Sequence, residues 1–227
     1  MPKIWVVLPE MRGMRDVPGR SMRWKTCSRF VMLLAWIAIS LVGCSVAWGA
    51  GTPTQAIQET VDQVLAVLGD DALKDPTRTA ERREKLEAII AQRFDYEEMA
   101  KRTLAAQWKK TGAEKQQEFV RLFQQFLTQS YAGSIEGHSG GYVTYVKERL
   151  KGDFAEVQTK VVTPKTQISL NYRLLKKHER WGVYDVIIDG VSLMKNFRGQ
   201  FSRIIKSSSF DALLDKLRSK IELASSS

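Results

Sequence analysis

Gln167-Ile168-Ser169-Leu170-Asn171-Tyr172-Arg173-Leu174-Leu175 is the stretch that decides the fold. Ile168, Leu170, Tyr172 and Leu174 alternate with Ser169, Asn171 and Arg173, the period-two signature of a strand with one apolar face. Three further segments of similar length surround it: 142–150, 154–162 and 181–188, each rich in Val, Ile, Tyr and Thr. They are separated by Lys151-Gly152-Asp153, Thr163-Pro164-Lys165-Thr166 and Lys177-His178-Glu179-Arg180, compositions that favour tight turns. Strands joined by so few residues pair with their sequence neighbours, which predicts a four-stranded antiparallel meander.

Outward from the meander the period changes to that of a helix. Thr52-Pro53-Thr54-Gln55 has the form of a capping box with proline in the first turn, followed by the stripe Ile57, Val61, Val64, Leu65 and Leu68, which Gly69-Asp70 closes. A second helix is predicted over 78–93, with Leu86, Ile89 and Ile90 on one face. Asp95-Tyr96-Glu97-Glu98 caps a short third. Thr111-Gly112-Ala113-Glu114 reads as another capping box, opening a helix striped with Phe119, Leu122, Phe123, Phe126, Leu127 and Tyr131, which ends at the glycines of 137–141. Beyond Asp189-Gly190 the helical period returns over 191–206 and, behind a Ser208 cap, over 209–222, where Phe210, Leu213, Leu214, Leu217 and Ile221 form the apolar face. The fold class is therefore α+β: a curled four-stranded antiparallel meander with helices before and after, packed on one face and enclosing an apolar pocket.

The first 49 residues stand apart. Phe30 to Val42 is an uncharged, mostly apolar run behind a basic stretch, too short for a bilayer-spanning helix, which needs about 20 residues. It has the length of a secretory signal core. Residues 1–49 read as an export signal, with Met22 a better-placed start than Met1. Residues 50–227 read as a single domain. Two processing sites are open. Ala47-Trp48-Gly49 puts small residues where the general signal peptidase reads, giving a mature start near Ala50. Leu41-Val42-Gly43-Cys44 resembles a lipobox, in which Cys44 is lipidated.

The net charge of +10 on 227 residues divides evenly: seven basic and two acidic residues fall in 1–49, leaving 28 basic and 23 acidic in the rest, so each part carries +5. The domain is mildly basic, without the basic cluster interleaved with stacking aromatics that marks a nucleic-acid binder. Cys27 and Cys44 are the only cysteines, so a domain beginning at Ala50 has no disulfide, thiolate nucleophile or cysteine-held metal. His138 and His178 fall in turns, neither with a partner at metal-ligand spacing. No nucleophile elbow, P-loop or dinucleotide fingerprint is present. Asp185 alternates with Val183 and Ile187 on the outward face, and Asp189-Gly190 is a turn. A different reading makes Asp185 the base, and Tyr184 or Tyr172 the donor, of a small isomerase or dehydratase. A third takes the apolar set as plain core of a lipidated envelope adaptor.

Phe94-Asp95-Tyr96-Glu97-Glu98-Met99, Trp108, and above all Trp181-Gly182-Val183-Tyr184-Asp185-Val186-Ile187-Ile188-Asp189-Gly190-Val191-Ser192-Leu193 continuing into Asn196-Phe197-Arg198-Gly199-Gln200-Phe201 resemble the MlaC family, also described as toluene-tolerance proteins. The resemblance runs over the whole chain after the export signal. It implies a Gram-negative periplasmic phospholipid carrier with a deep apolar pocket, no catalytic residues and no cofactor. Its implied partners are phospholipid, an outer-membrane lipoprotein complex and an inner-membrane ABC transporter with MCE-domain subunits, with transient contact at membrane surfaces and none with nucleic acid. The lipobox-like Cys44 is not a family feature. On this reading the pocket is expected to be lined by Phe119, Leu122, Phe123 and Phe126 of the long helix. The sheet is expected to add Val157, Val161, Ile168, Leu170, Tyr172, Tyr184, Val186 and Ile188, and the C-terminal segment Leu193, Phe197 and Phe201.

Overall fold

Each of the four alternating segments is a strand. The computed structural model describes residues 51–136, 141–164 and 166–225, all within the compact unit Trp48–Ser227. Residues 1–49, where an export signal is expected and which include Cys44, lie outside the described residues, as does His138. β1 (Tyr142–Lys151), β2 (Phe154–Val162), β3 (Gln167–Lys177) and β4 (Arg180–Ile188) pair in sequence order, all antiparallel. A short fifth strand, β5 (Val191–Ser192), adds to the edge of β4. It occupies residues expected to open a helix. The turn before it has positive φ at both Asp189 and Gly190, the geometry of a primed two-residue hairpin. Asp189 also donates its backbone N–H to Ser169 O and accepts from Ser169 N through its carboxylate, both at 2.9 Å.

Strict alternation fails at one place in β4. Arg173 pairs with Asp185 but Leu174 pairs with Val183, so Tyr184 is an extra residue, a β-bulge. Val183 therefore faces the same side as Val186 and Ile188, and Tyr184 turns with Asp185 to the opposite side. A second bulge between Tyr145 and Lys147 does the same in β1.

α1 (Pro53–Gly69) begins with the capping box expected from its sequence: Thr52 Oγ1 accepts from Gln55 N, and Gln55 Oε1 accepts from Thr52 N. Its first turn is pinned to the sheet by Glu148 of β1, which accepts from both the N–H and the hydroxyl of Thr54 at 2.8 and 2.6 Å. Two short 3₁₀ turns lead to α2 (Thr79–Arg93), which pairs with α1. α3 (Tyr96–Leu104) is capped by Asp95, as its sequence suggests. After the short α4 (Ala106–Lys110) comes the long α5 (Ala113–Glu136). The Thr111 hydroxyl does not cap α5; it donates to Gln107 O and closes α4 instead. α6 (Leu193–Ser207) and α7 (Phe210–Ser225) complete the chain. Ser209, not Ser208, caps α7 by accepting from Ala212 N, while Ser208 terminates α6.

Two buried clusters hold these parts together. One joins α3, α5, α6 and α7 beside β4, with Phe119, Phe123, Phe197 and Phe201 in contact at ring-centroid distances of 5.5 to 5.8 Å. Edge-to-face and offset contacts at this spacing are the favourable ones for aromatic rings. The other cluster packs Ala56 and Ile57 of α1 onto Ala155, Val157, Leu174, Trp181 and Val183 of the sheet.

Candidate functional site: an apolar cavity beneath the first helix

Between the two clusters the helices stand off from the sheet and leave a cavity of about 420 Å³. Its floor is Val161, Ile168, Leu170, Tyr172, Val186 and Ile188 of the sheet; its roof is Ile57, Val61, Val64, Leu65 and Leu68 of α1 with Leu86 and Ile90 of α2. Phe94, Tyr96 and Met99 close one side, and Leu127, Tyr131 and Ile135 of α5 the other, with Leu193 between. Val61, Val64, Leu65, Leu170 and Ile188 remain only half-buried although they sit on apolar faces that point inward. A filled core leaves few voids larger than a water molecule, so this uncovered apolar surface makes the space the candidate ligand site.

Polar groups on the wall are few and mostly spent. Arg93 donates to Thr60 Oγ1 at 3.0 Å, to Trp181 O at 3.2 Å and to Glu59 at 3.3 Å, so its guanidinium ties α1 to β4. Burial pushes the Tyr96 and Tyr172 phenols up to about 12, and Tyr131 upward as well. All three stay neutral at ordinary pH, and the wall gains hydroxyls without charge. Arg83 and Ser134 are exposed, which puts the opening between α2 and the C-terminal half of α5. Arg82 and Arg83 share the carboxylate of Glu136 there, at 3.0 and 3.4 Å. Among the described residues no group of three or more His, Cys, Asp or Glu is gathered to hold a metal, and no helix is long and apolar enough to cross a membrane.

Of the residues expected to line a pocket, Val161, Ile168, Leu170, Tyr172, Val186, Ile188 and Leu193 are on this wall. The other eight are not, and for three reasons. Phe119, Phe123, Phe197 and Phe201 are filled core, at most 6% exposed, and Leu122 and Phe126 pack against that cluster. Val157 is on the sheet's cavity face, but α1 sits directly on it. Tyr184 is turned away by the bulge. The roof residues of α1 and α2 were missed because periodicity identifies an apolar face without saying whether packing or space lies opposite.

Asp185 also departs from its expected setting. It lies on the sheet face opposite the cavity, but at 3% exposure it is not solvated. Its carboxylate accepts from Ser192 Oγ at 2.7 Å, from Met194 N at 3.1 Å and from Arg173 at 3.3 Å. It anchors the start of α6, and His178 sits in the β3–β4 turn with positive φ.

A family model described as MlaC protein matches residues 58–219. The intermembrane phospholipid transport system binding protein MlaC of Haemophilus influenzae is 21% identical over 201 residues, covering 84% of this chain and 92% of that protein. The solved phospholipid-binding protein from Ralstonia solanacearum, in complex with a phospholipid, matches with a TM-score of 0.69 at 24% identity, over 77% of this chain and 99% of its own. At that identity the likeness speaks for the fold, which is the α+β arrangement read from the meander.

Proposed function

Because the chain belongs to the MlaC family, we propose that it is a phospholipid carrier that holds acyl chains in the cavity beneath α1 and moves lipid between membranes. The observation that carries this reading is the cavity itself: a wall mostly of aliphatic and neutral aromatic side chains, with Arg83 exposed at the opening, Arg93 already paired and Glu87 the one carboxylate. A diacyl lipid has roughly 30 methylenes, each favouring hydrocarbon over water by about 0.8 kcal/mol. Bare transfer through water thus faces a barrier on the order of 20 kcal/mol. A protein that offers apolar contacts of equal character removes most of it without making or breaking a bond, and a headgroup at the Arg83 and Ser134 opening stays hydrated.

The proposal includes export to the periplasm through the Phe30–Val42 signal, residues 50–227 acting as one lipid-binding domain, and exchange with an outer-membrane lipoprotein complex and an inner-membrane ABC transporter carrying MCE-domain subunits. It assigns Asp185 an anchoring role. A base must reach a substrate proton, and Asp185 is absent from the cavity wall, nearly inaccessible and engaged by three donors. The test is native mass spectrometry of gently purified protein combined with transfer of labelled phospholipid between donor and acceptor vesicles. A mass increment matching phospholipid, lost on extraction, and transfer accelerated by added protein are expected. A domain that purifies empty and transfers nothing would overturn the proposal.

A further inference from the structure

A second concavity, of about 360 Å³, lies on the other face of the sheet from the lipid cavity, where the end of α3, the bulge of β4 and the first two turns of α6 meet. Its walls carry Arg102, Arg173, Lys195 and Arg198, with Tyr184 at its base and Asp185 the one acidic group. We propose that this basic recess is a docking site for an acidic surface on a partner protein, one that presents several carboxylates together.

The charge distribution carries the argument. Asp185 contributes little free acceptor capacity, since three donors already occupy it. Arg102 pairs with Glu98 at 2.9 Å and lies over the Tyr184 ring at 3.8 Å, while its Nε is buried without a hydrogen-bond partner. Arg173 is shared between Asp185 and Glu156. Among the described residues, Lys195 and Arg198 have no carboxylate within ion-pair distance, though both are exposed one helical turn apart at the start of α6. The N-terminal end of a 15-residue helix adds to the positive potential. Lys195 and Arg198 are therefore the two unspent cations of the recess.

The shape favours a protein surface over the alternatives. The cations come from α3, β3 and α6 and are spread around an open depression, and Arg102 Nε is a single buried free donor with no second converging on it, so one small anion has no cage. Phe154 on the adjoining β2 end is 45% exposed and Val191 at the β5 edge 57% exposed, an apolar rim beside arginines and a tyrosine. Arg and Tyr at the centre with apolar neighbours is the composition of a protein interface. A bilayer is the weaker fit, because a membrane seated here meets the face of the sheet that does not line the cavity. A partner docked here leaves the opening between α2 and α5 unobstructed.

The site is tested by nuclear magnetic resonance of the purified protein titrated with a synthetic decapeptide of alternating Glu and Ala, in low salt. Shifts centred on Arg102, Tyr184, Lys195 and Arg198 are expected. The double variant Lys195→Glu with Arg198→Glu should weaken binding on the order of ten-fold or more. Arg203→Glu with Lys206→Glu, the same charge change further along α6 and outside the recess, should not. Bound phospholipid measured by mass spectrometry should match the parent in both, so failure here is separable from failure of the carrier reading. Equal loss in both double variants would make the effect one of net charge and overturn the site. Inorganic phosphate moving the same resonances and displacing the peptide would replace the protein partner with a small anion. Vesicles of one part phosphatidylglycerol to three of phosphatidylcholine outcompeting the peptide at these residues would replace it with a bilayer.

Discussion

The carboxylate of Asp185 accepts the backbone N–H of Met194 at 3.1 Å, and through that bond the end of the sheet fixes the start of α6. Asp185→Asn swaps one acceptor oxygen for an NH₂ that faces donors. A buried donor left unsatisfied costs about 1–3 kcal/mol. The melting temperature should fall by several degrees, while vesicle-to-vesicle transfer per folded molecule stays within a few-fold of the parent. Transfer abolished in a folded, lipid-loaded Asp185→Asn protein would give the residue a chemical role and end the carrier reading.

Phe123 belongs to the ring cluster and not to the cavity, so its truncation should act on stability alone. Phe123→Ala removes a fully buried ring, a change that costs about 3–5 kcal/mol in a well-packed core. Denaturant unfolding should show that loss. The surviving folded fraction should carry as much phospholipid per molecule as the parent.

The Tyr145 hydroxyl is buried without a hydrogen-bond partner. Removing a polar group that folding has stripped of water and left unpaired relieves its desolvation cost. Tyr145→Phe should therefore raise the unfolding midpoint, by an amount corresponding to about 1 kcal/mol. A lower midpoint would mean that the hydroxyl finds a partner in solution.

The meander was legible because Ile168 to Leu174 alternates without fault and its turns are short. What the pattern concealed was the bulge: Val183, Tyr184 and Asp185 read as three alternating positions, yet the extra residue sends Val183 inward and Tyr184 outward. No local composition announces such a bulge, because it is settled by pairing with Arg173 and Leu174. The cavity failed to show for a related reason. The Phe119–Phe126 stripe and the Ile57–Leu68 stripe are equally apolar, and the richer in aromatics was the natural choice for a ligand wall. Phe119, Phe123, Phe197 and Phe201 pack well against one another, whereas the aliphatic stripe of α1, tied to the sheet by Glu148 at its start and by Arg93 at Glu59 and Thr60, runs on over open space.

Alkaline pH should act together on the three tyrosines whose phenols burial raises furthest. Tyr96, Tyr145 and Tyr172 are raised to about 12, chiefly by burial, so the folded state binds their protons more tightly than the unfolded state does. That preference contributes stability in full below the ordinary phenol value near 10, and it is lost as pH rises through about 12. Unfolding midpoints measured from pH 9 to 12 should decline over that window, and phenolate absorbance should show these three titrating late or only with unfolding. Early ionisation of all six tyrosines without loss of structure would contradict their burial.

Space and core respond oppositely to added volume, and this separates the α1 roof from ordinary packing. Inserting methylenes into a filled core typically costs about 1–3 kcal/mol, but a side chain that grows into an empty cavity meets no such resistance. Val64 is half-buried on the roof. Val64→Trp should therefore fold with a melting temperature near the parent's while carrying less phospholipid and transferring it more slowly, because the indole occupies room that acyl chains need. Leu170→Glu on the floor should also empty the protein, but it places a carboxylate against apolar walls and should lower stability as well. The comparison between them is the informative part. Lipid lost in both, with stability lost only in Leu170→Glu, is the pattern of a cavity. A Val64→Trp protein that loses stability and keeps its lipid would show that α1 covers a core and that the acyl chains lie elsewhere.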